Sequence, residues 1–552
     1  MGTYRTDLSR RSFLLTVAGG AMAAPLLASC SSSTKKTSGA SGAAGPATLA
    51  AILPAYVPST LVTPDIPSVN GSDPAYLKYP TNPVKTVTAV PGRGGRYTAI
   101  TPLWGAIPPA SGNHYYDAMN QALGATLSVK PANGNSYNQV LPTLFTGDKL
   151  PDWIDIPGWN TNVLDFGKAV EAKFVDLTPY LSGENVKKYP NLANVPSNAW
   201  QAGVWNGKLF GIPCYPSNIV VAGAIYYRKD IFAARGLSEP TSADELFALG
   251  AELTDAKAKR WAFDDLWTYL GQPFDIPNKW AIDSTGKLIH KYETPEFLAA
   301  ADFARKLASA GYVHPDAIAG NTNDAKQRFQ SGQVAVYGDG TGAWGGMVVA
   351  QAQAGDKTFQ MQAMSPFAAE AGKTPRVALG NGAGMFSYLN KKLSKDKIEE
   401  LLAIADYLAA PFGSLEYTLI NYGPDADHTV TASGPQLNPT GQKEVATTFQ
   451  FLATCPSVTV QPGYPDWVRA YATWQADAAG KAYKPVFYDM NITEPAQYSS
   501  IGQQVEDTIL DVVHGRKPVS ALQSSVAQWR RSGGDALRDF YEQVRQQYGT
   551  GQ

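Results

Sequence analysis

Short apolar runs alternate with amphipathic helical stripes through most of this 552-residue chain, and that alternation constrains its fold more than any other feature. Strand-like runs at 97–103, 127–130 and 154–156 are interleaved with helical spacings at 115–123 and 137–145. In the second helix Val140, Leu141 and Leu144 share one side. The run 219–227 is continuously apolar, as suits a strand covered on both faces. Thr241 is placed to cap the next helix, with Glu245 close to the capping-box offset and Leu246, Leu249 and Leu253 on one face. Further stripes run through Phe297, Ala300, Ala304 and Leu307, then Ile398, Leu401, Leu402, Ala405 and Leu408. Near the C-terminus Ile501, Val505, Ile509 and Val512 form one more, and Leu537, Phe540, Val544 and Tyr548 another beyond Gly533-Gly534. Such alternation implies the α/β class, a mainly parallel sheet flanked by helices. Roughly 450 residues of it exceed what one hydrophobic core supports, so two or more lobes are expected.

The N-terminus indicates where that body folds. SRRSFLL at 9–15 sets two arginines before a short apolar stretch, the pattern of a signal peptide for twin-arginine export. The stretch is too short and too rich in Gly and Ala to be a permanent membrane span. It ends in Leu27-Ala28-Ser29-Cys30, which is similar to the lipobox of bacterial lipoproteins. That likeness implies cleavage after residue 29 and acylation of Cys30, with 1–30 as signal peptide. Residues 31–92 read as a flexible Ser/Gly/Ala tether followed by a Pro-rich extended segment with little helix.

Composition narrows the chemistry. Net charge is −1 with no basic stripe, which argues against nucleic acid as a partner. His114, His290, His314, His428 and His514 are scattered and none makes a His-Glu-x-x-His pair, so neither a metal nor a cofactor is expected. No Gly-x-Ser-x-Gly elbow occurs. Gly340-x-Gly342-x-x-Gly345 matches a dinucleotide fingerprint only formally, in an exported chain where no nicotinamide pool is expected. A glycosidase would need two carboxylates, and Asp152 with Asp155, or Asp264 with Asp265, are the pairs available. Asp152 falls in a turn that explains it locally, and adjacent residues do not easily flank one bond. Cys214 and Cys455 are either two buried free thiols, the preferred reading, or a disulfide allowed by export.

Four stretches resemble one family, the extracellular solute-binding proteins (family 1) of carbohydrate importers, and especially its large lipoprotein members. They are YNQVLPTLFTGDKLPDWIDI at 137–156, WNGKLFGIP at 205–213, YYRKDIFAARGLSEPTSADEL at 226–246 and WRRSGGDALRDFYEQVRQQY at 529–548. The resemblance implies a two-lobed periplasmic-binding-protein-like fold of type II. Lobe 1 is then expected from 93–217 plus about 376–425, and lobe 2 from 218–375 plus about 426–552. It further implies a non-enzymatic, monomeric lipoprotein, anchored outside the cell, that captures a carbohydrate, an oligosaccharide more than a monosaccharide, and hands it to the permease of an ABC transporter. Some large members carry an Asp- and Asn-rich calcium loop. The matching segment 254–260 holds one carboxylate among three cations, too few oxygens for calcium.

Ligand contacts are expected where flat rings can meet the apolar C–H face of a sugar ring. Trp159 and Asn160 follow the strand at 154–156, and Asp339 and Trp344 flank the glycine turn after 334–338. Tyr215 and Ser217 stand beside the first expected hinge, and Trp104 follows the first strand. Trp267, Tyr422, Trp467 and Tyr488 are further candidates, and every one of these rings has core packing as its alternative. A peptide-binding transport protein would share export and hinge but needs charges for the peptide termini. Arg376 is the one cation near the candidates that would suit such a role.

Overall fold

The computed structural model describes residues 42–147 and 149–551, without the side chains of Asn162 and Val163. The expected export signal, Cys30 and the start of the expected tether lie outside the described residues.

Nine strands build the two main sheets: β1 (Arg96–Leu103), β2 (Thr126–Asn133), β3 (Trp153–Pro157), β4 (Ile212–Cys214), β5 (Ala224–Arg228), β6 (Trp261–Phe263), β7 (Val334–Asp339), β8 (Met361–Ala363) and β9 (Met385–Leu389). The first sheet has the order β2-β1-β3-β9-β4 and the second β8-β5-β7-β6. In each, one strand is antiparallel to both neighbours, β9 in the first and β5 in the second. Each of these is the strand by which the chain enters a lobe after crossing from the other. The remaining strands therefore end, and β5 and β9 begin, along the edge nearest the crossings.

Each sheet carries its own core. Leu141, Trp153, Ile154, Phe174, Trp200 and Leu401 pack in the first, and Leu246, Phe263, Ala300, Val336, Val505 and Leu522 in the second. All five residues of β3, of β5 and of β9 are buried, as befits mainly apolar strands covered on both faces, although each also buries one polar residue: Asp155, Arg228 and Ser387. The molecule is two-lobed. Phe449, Leu452 and Ala453 belong to the first core, so lobe 1 reaches past the expected boundary near 425. A hairpin at His428–Thr431 and Gly434–Leu437 lengthens the chain there before it returns to the core, and no apolar stripe announces that return.

Three crossings lie side by side. Gly380 N–H donates to Val220 O at 2.8 Å, Ser217 N–H to Gly382 O at 3.0 Å, and Ser457 N–H to Pro216 O at 2.8 Å. The apolar run 219–227 is thus only half strand, since residues before Ala224 belong to a crossing. The Pro-rich segment forms one short helix, Pro46–Ile52, and otherwise runs extended. It reaches the third crossing where Ala75–Tyr76 pairs with Thr459–Val460.

Local chemistry sets the element ends. Helix Ala243–Leu253 is capped by Ser242, whose Oγ accepts from Glu245 N–H, rather than by Thr241. Glu245 instead reaches back to the N–H and hydroxyl of Thr241 at 2.7 and 2.8 Å.

Candidate ligand-binding edge between the lobes

In open α/β sheets ligands gather outside the carboxyl ends of the strands. On lobe 1 that edge carries Trp104 just beyond β1, Gly134 beyond β2, Trp159 beyond β3 and Tyr215 beyond β4. Among the described residues the exposed large aromatic side chains are Tyr56, Trp104, Trp159 and Tyr215, and three of these four stand on this one edge. Trp104 is 43% exposed and Trp159 58%, with ring centres 6.1 Å apart. A Cβ at residue 134 would lie 2.4 Å from the Trp104 ring, so only glycine lets that indole lie flat on the backbone. Phe451 supports it from the side, 5.7 Å from Trp104 and also 5.7 Å from Tyr215.

Tyr215 opens the first crossing with φ of 52°, a region few residues with a Cβ adopt. Its N–H donates to Thr454 Oγ1 and its hydroxyl to Gln450 Oε1, each at 2.5 Å. Burial around the hydroxyl, then the neighbouring Cys214, Asp155 and Cys455, push this phenol well above its ordinary range, so it stays a neutral donor. Asn160 is buried. Ser217 bonds to Asp73 and Ile219 O, both at 2.7 Å, and so serves the crossing.

Lobe 2 presents the end of β7. Asp339 is half-buried, held by Gly340 N–H at 2.7 Å and by the Tyr337 hydroxyl. Tyr269 lies across Gly338 and Gly223, where added Cβ atoms would come within 2.0 and 2.6 Å of its ring. This half-buried tyrosine beside Asp339 was not anticipated from sequence; the bare glycine between Tyr337 and Asp339 is the signal that could have found it.

The other candidates lie elsewhere. Trp344 is 1% exposed, enclosed by Tyr226, Tyr471, Trp474 and Trp467, so it is a core ring and not a platform. It lies in the helix Ala343–Gln353 and packs in a cluster with Phe329, Val334 and Met347. Trp467 leans on Gly345, and Tyr488 is buried with Ile219 and Leu379 at the crossings. Trp267 packs against Phe297 in the second core, and Tyr422 against Tyr79 beside the Pro-rich segment. Cys214 and Cys455 are free thiols. A concavity of about 800 Å³ elsewhere on lobe 2 offers no ring, because its Tyr227, Phe232 and Phe367 are buried.

Residues 115–412, more than half of the chain, match the family described as bacterial extracellular solute-binding protein. The chain belongs to that family. Lipoprotein LipO of Bacillus subtilis is 24% identical over 249 residues, 42% of this chain and 47% of its own length, so the chain spans about half of that relative. Two solved structures from Streptococcus pneumoniae share the fold. They are the ABC-transporter substrate-binding protein FusA in complex with kestose (14% identical, TM-score 0.58, covering 82% of this chain and 100% of that one) and the N-glycan transport solute-binding protein NgtS (14%, 0.58, 82% and 99%).

Three of the four candidate carboxylates are held by neighbouring groups, whereas neither carboxylate oxygen of Asp155 has a hydrogen-bond partner. Asp264 is buried in a two-pronged ion pair with Arg328, at 2.6 and 3.0 Å. Asp265 accepts from Trp267 N–H and lies 3.1 Å from His514 Nε2. Asp152 accepts from the N–H and hydroxyl of Thr98. Asp155 is fully buried in β3, where desolvation raises its carboxyl well above the usual range. Among the described residues no helix is long and apolar enough to cross a membrane.

Proposed function

We propose that this protein is the substrate-capturing lipoprotein of an ABC importer, that it closes its two lobes on a carbohydrate of oligosaccharide size, and that Cys30 carries its lipid anchor. The observation that carries the reading is the ledge of Trp104 and Trp159, open at the strand ends of lobe 1. Two tilted indoles 6.1 Å apart suit consecutive pyranose faces, each of which buries apolar C–H surface on a ring. Tyr215 and Asp339, both held by neighbouring groups, are fixed partners for hydroxyl groups. Lobes joined by three crossings can open and close in register, burying a ligand from both sides. The solved relatives named for kestose and N-glycan transport support a carbohydrate in that place, and the relative named a lipoprotein supports the anchor.

Peptide capture is the second reading, and Arg376 does not favour it. Its guanidinium sits 4.0 Å over the Tyr483 ring and 2.9 Å from Asp275, so it is already engaged.

A thermal-shift screen across an oligosaccharide panel and a set of short peptides tests the reading, because a ligand bound only by the folded chain raises Tm. At least one oligosaccharide should raise it. Shifts with peptides alone would replace the carbohydrate assignment. For the anchor, Cys30→Ser should move the protein from the membrane fraction to the medium or periplasm.

A further inference from the structure

Beyond the loop that carries Trp104, three side chains distant in sequence converge at the start of helix His114–Leu123. His114 and Glu444 are 330 positions apart, yet His114 Nδ1 lies 3.4 Å from Glu444 Oε2. The same nitrogen lies 3.9 Å from Asp427 Oδ1, and the three donor groups fall within 4.8 Å of one another. Glu444 is oriented by the N–H of His114, which donates to Oε2 at 2.6 Å, and by Asn113 Nδ2, which donates to Glu444 O at 3.2 Å.

Asp427 is the residue that asks for an explanation. Its side chain is 0% exposed, and neither carboxylate oxygen has a hydrogen-bond partner. Buried carboxylates in proteins are ordinarily paired, because leaving one without donors costs several kcal/mol. The fold nevertheless makes room for it. Gly423, at φ 72°, would bring a Cβ within 2.6 Å of Oδ2, and Gly441 would bring one within 2.0 Å of Asp427 O. Desolvation and then the neighbouring Glu444 push the Asp427 carboxyl upward, opposed by His114 and His428. Two carboxylates and an imidazole pointing at one small volume, with one carboxylate otherwise unsatisfied, are what a dication would balance.

We propose that Nδ1 of His114 and the carboxylates of Asp427 and Glu444 bind a first-row divalent metal ion of the zinc class. Zinc takes nitrogen and oxygen donors at about 2.0–2.2 Å in tetrahedral geometry, which sets donors about 3.3–3.5 Å apart. The spacings of 3.4 and 3.9 Å from the imidazole, with all three donors within 4.8 Å of one another, call for side-chain movements on the order of 1 Å to meet that geometry. Calcium, which takes six to eight oxygens, is poorly served by an imidazole and two carboxylates. His114 is 60% exposed, so the fourth position opens to solvent on its side. The site would pin the helix that follows the Trp104 loop to the segment leading into Gln450 and Phe451, the residues that support the aromatic ledge. It is separate from the segment 254–260, which lies on the other lobe.

The test uses the full chain, without a histidine tag, stripped by a chelator and titrated calorimetrically with Zn²⁺ alone at pH 7. One equivalent should bind, Tm should rise, and Ca²⁺ or Mg²⁺ should give a far smaller rise. His114→Ala, at an exposed position that leaves folding intact, should weaken Zn²⁺ at least tenfold; Asp427→Asn should abolish the Tm response. The site is overturned if the parent chain shows neither heat nor Tm shift, or if His114→Ala binds Zn²⁺ as the parent does. It is equally overturned if Zn²⁺ has no effect while Asp427→Asn raises Tm, the mark of a proton shared with Glu444.

Discussion

Trp159 and Trp344 each stand within two residues of a glycine, and sequence offers no way to tell a platform from a core ring between them. The fold separates them: Trp159 is 58% exposed beyond β3, whereas Trp344 is closed in by four other rings. Periodicity reports which side of an element is apolar, but not which ring lies at a strand end facing a partner lobe. Trp104, Trp159 and Tyr215 were legible because each lies within two residues of a strand end; Tyr269 and Phe451 were not, since their positions depend on distant segments. Trp104→Ala and Trp159→Ala should each weaken oligosaccharide binding roughly tenfold, about 1.4 kcal/mol, with little change in Tm. Trp344→Ala should instead destabilise the chain by about 3–5 kcal/mol in denaturant melts, because it empties a packed core site. Asp264→Ala should cost about 3–5 kcal/mol by the same measurement, since it strands the buried Arg328 guanidinium.

Among the elements, strands and helices with clean periods emerge as expected, from β1 and β3 to the helix Lys395–Leu408. The departures have local causes. The run 219–227 looks uniform in hydropathy, yet Gly223 and the crossing contacts delay the start of the strand to Ala224. Thr241 and Ser242 are equally good capping residues by type, and the choice falls to Ser242, whose extended backbone aims Oγ at Glu245 N–H. Ser242→Ala should therefore lower stability by about 1 kcal/mol, read from denaturant midpoints, with Thr241→Ala costing less. Gly338→Ala should cost about 1–3 kcal/mol, because the new methyl overlaps the Tyr269 ring. The same variant should weaken ligand binding, since Tyr269 must move away from Asp339.

For the molecule as a whole, two lobes followed from chain length and alternation, but the crossings did not. They are assembled from segments near 217, 380, 457 and the Pro-rich chain, and no local pattern reports that these meet. Two acids sit among them. Asp73 accepts from Ser217 Oγ and Gln475 Nε2, and burial lifts its carboxyl to about 6. Asp489 accepts from Gly382 N–H, and burial lifts it to about 7 despite the nearby Lys484. Both hold protons in the folded chain to higher pH than in the unfolded chain. Their contribution to stability is complete below about pH 4 and fades as pH rises through 6 to 7. Between pH 5 and pH 8 the parent chain should lose roughly 4 kcal/mol through these groups, and an Asp73→Asn/Asp489→Asn double variant should show a flatter profile. The hinged capture of a carbohydrate on the lobe 1 ledge is tested most directly by titration calorimetry. The oligosaccharide that most raises Tm is titrated into the parent chain and into a Trp104→Ala/Trp159→Ala double variant. One-to-one binding by the parent with a loss of roughly a hundredfold in the variant, about 2.7 kcal/mol, is the predicted result; equal affinity in both chains would contradict it.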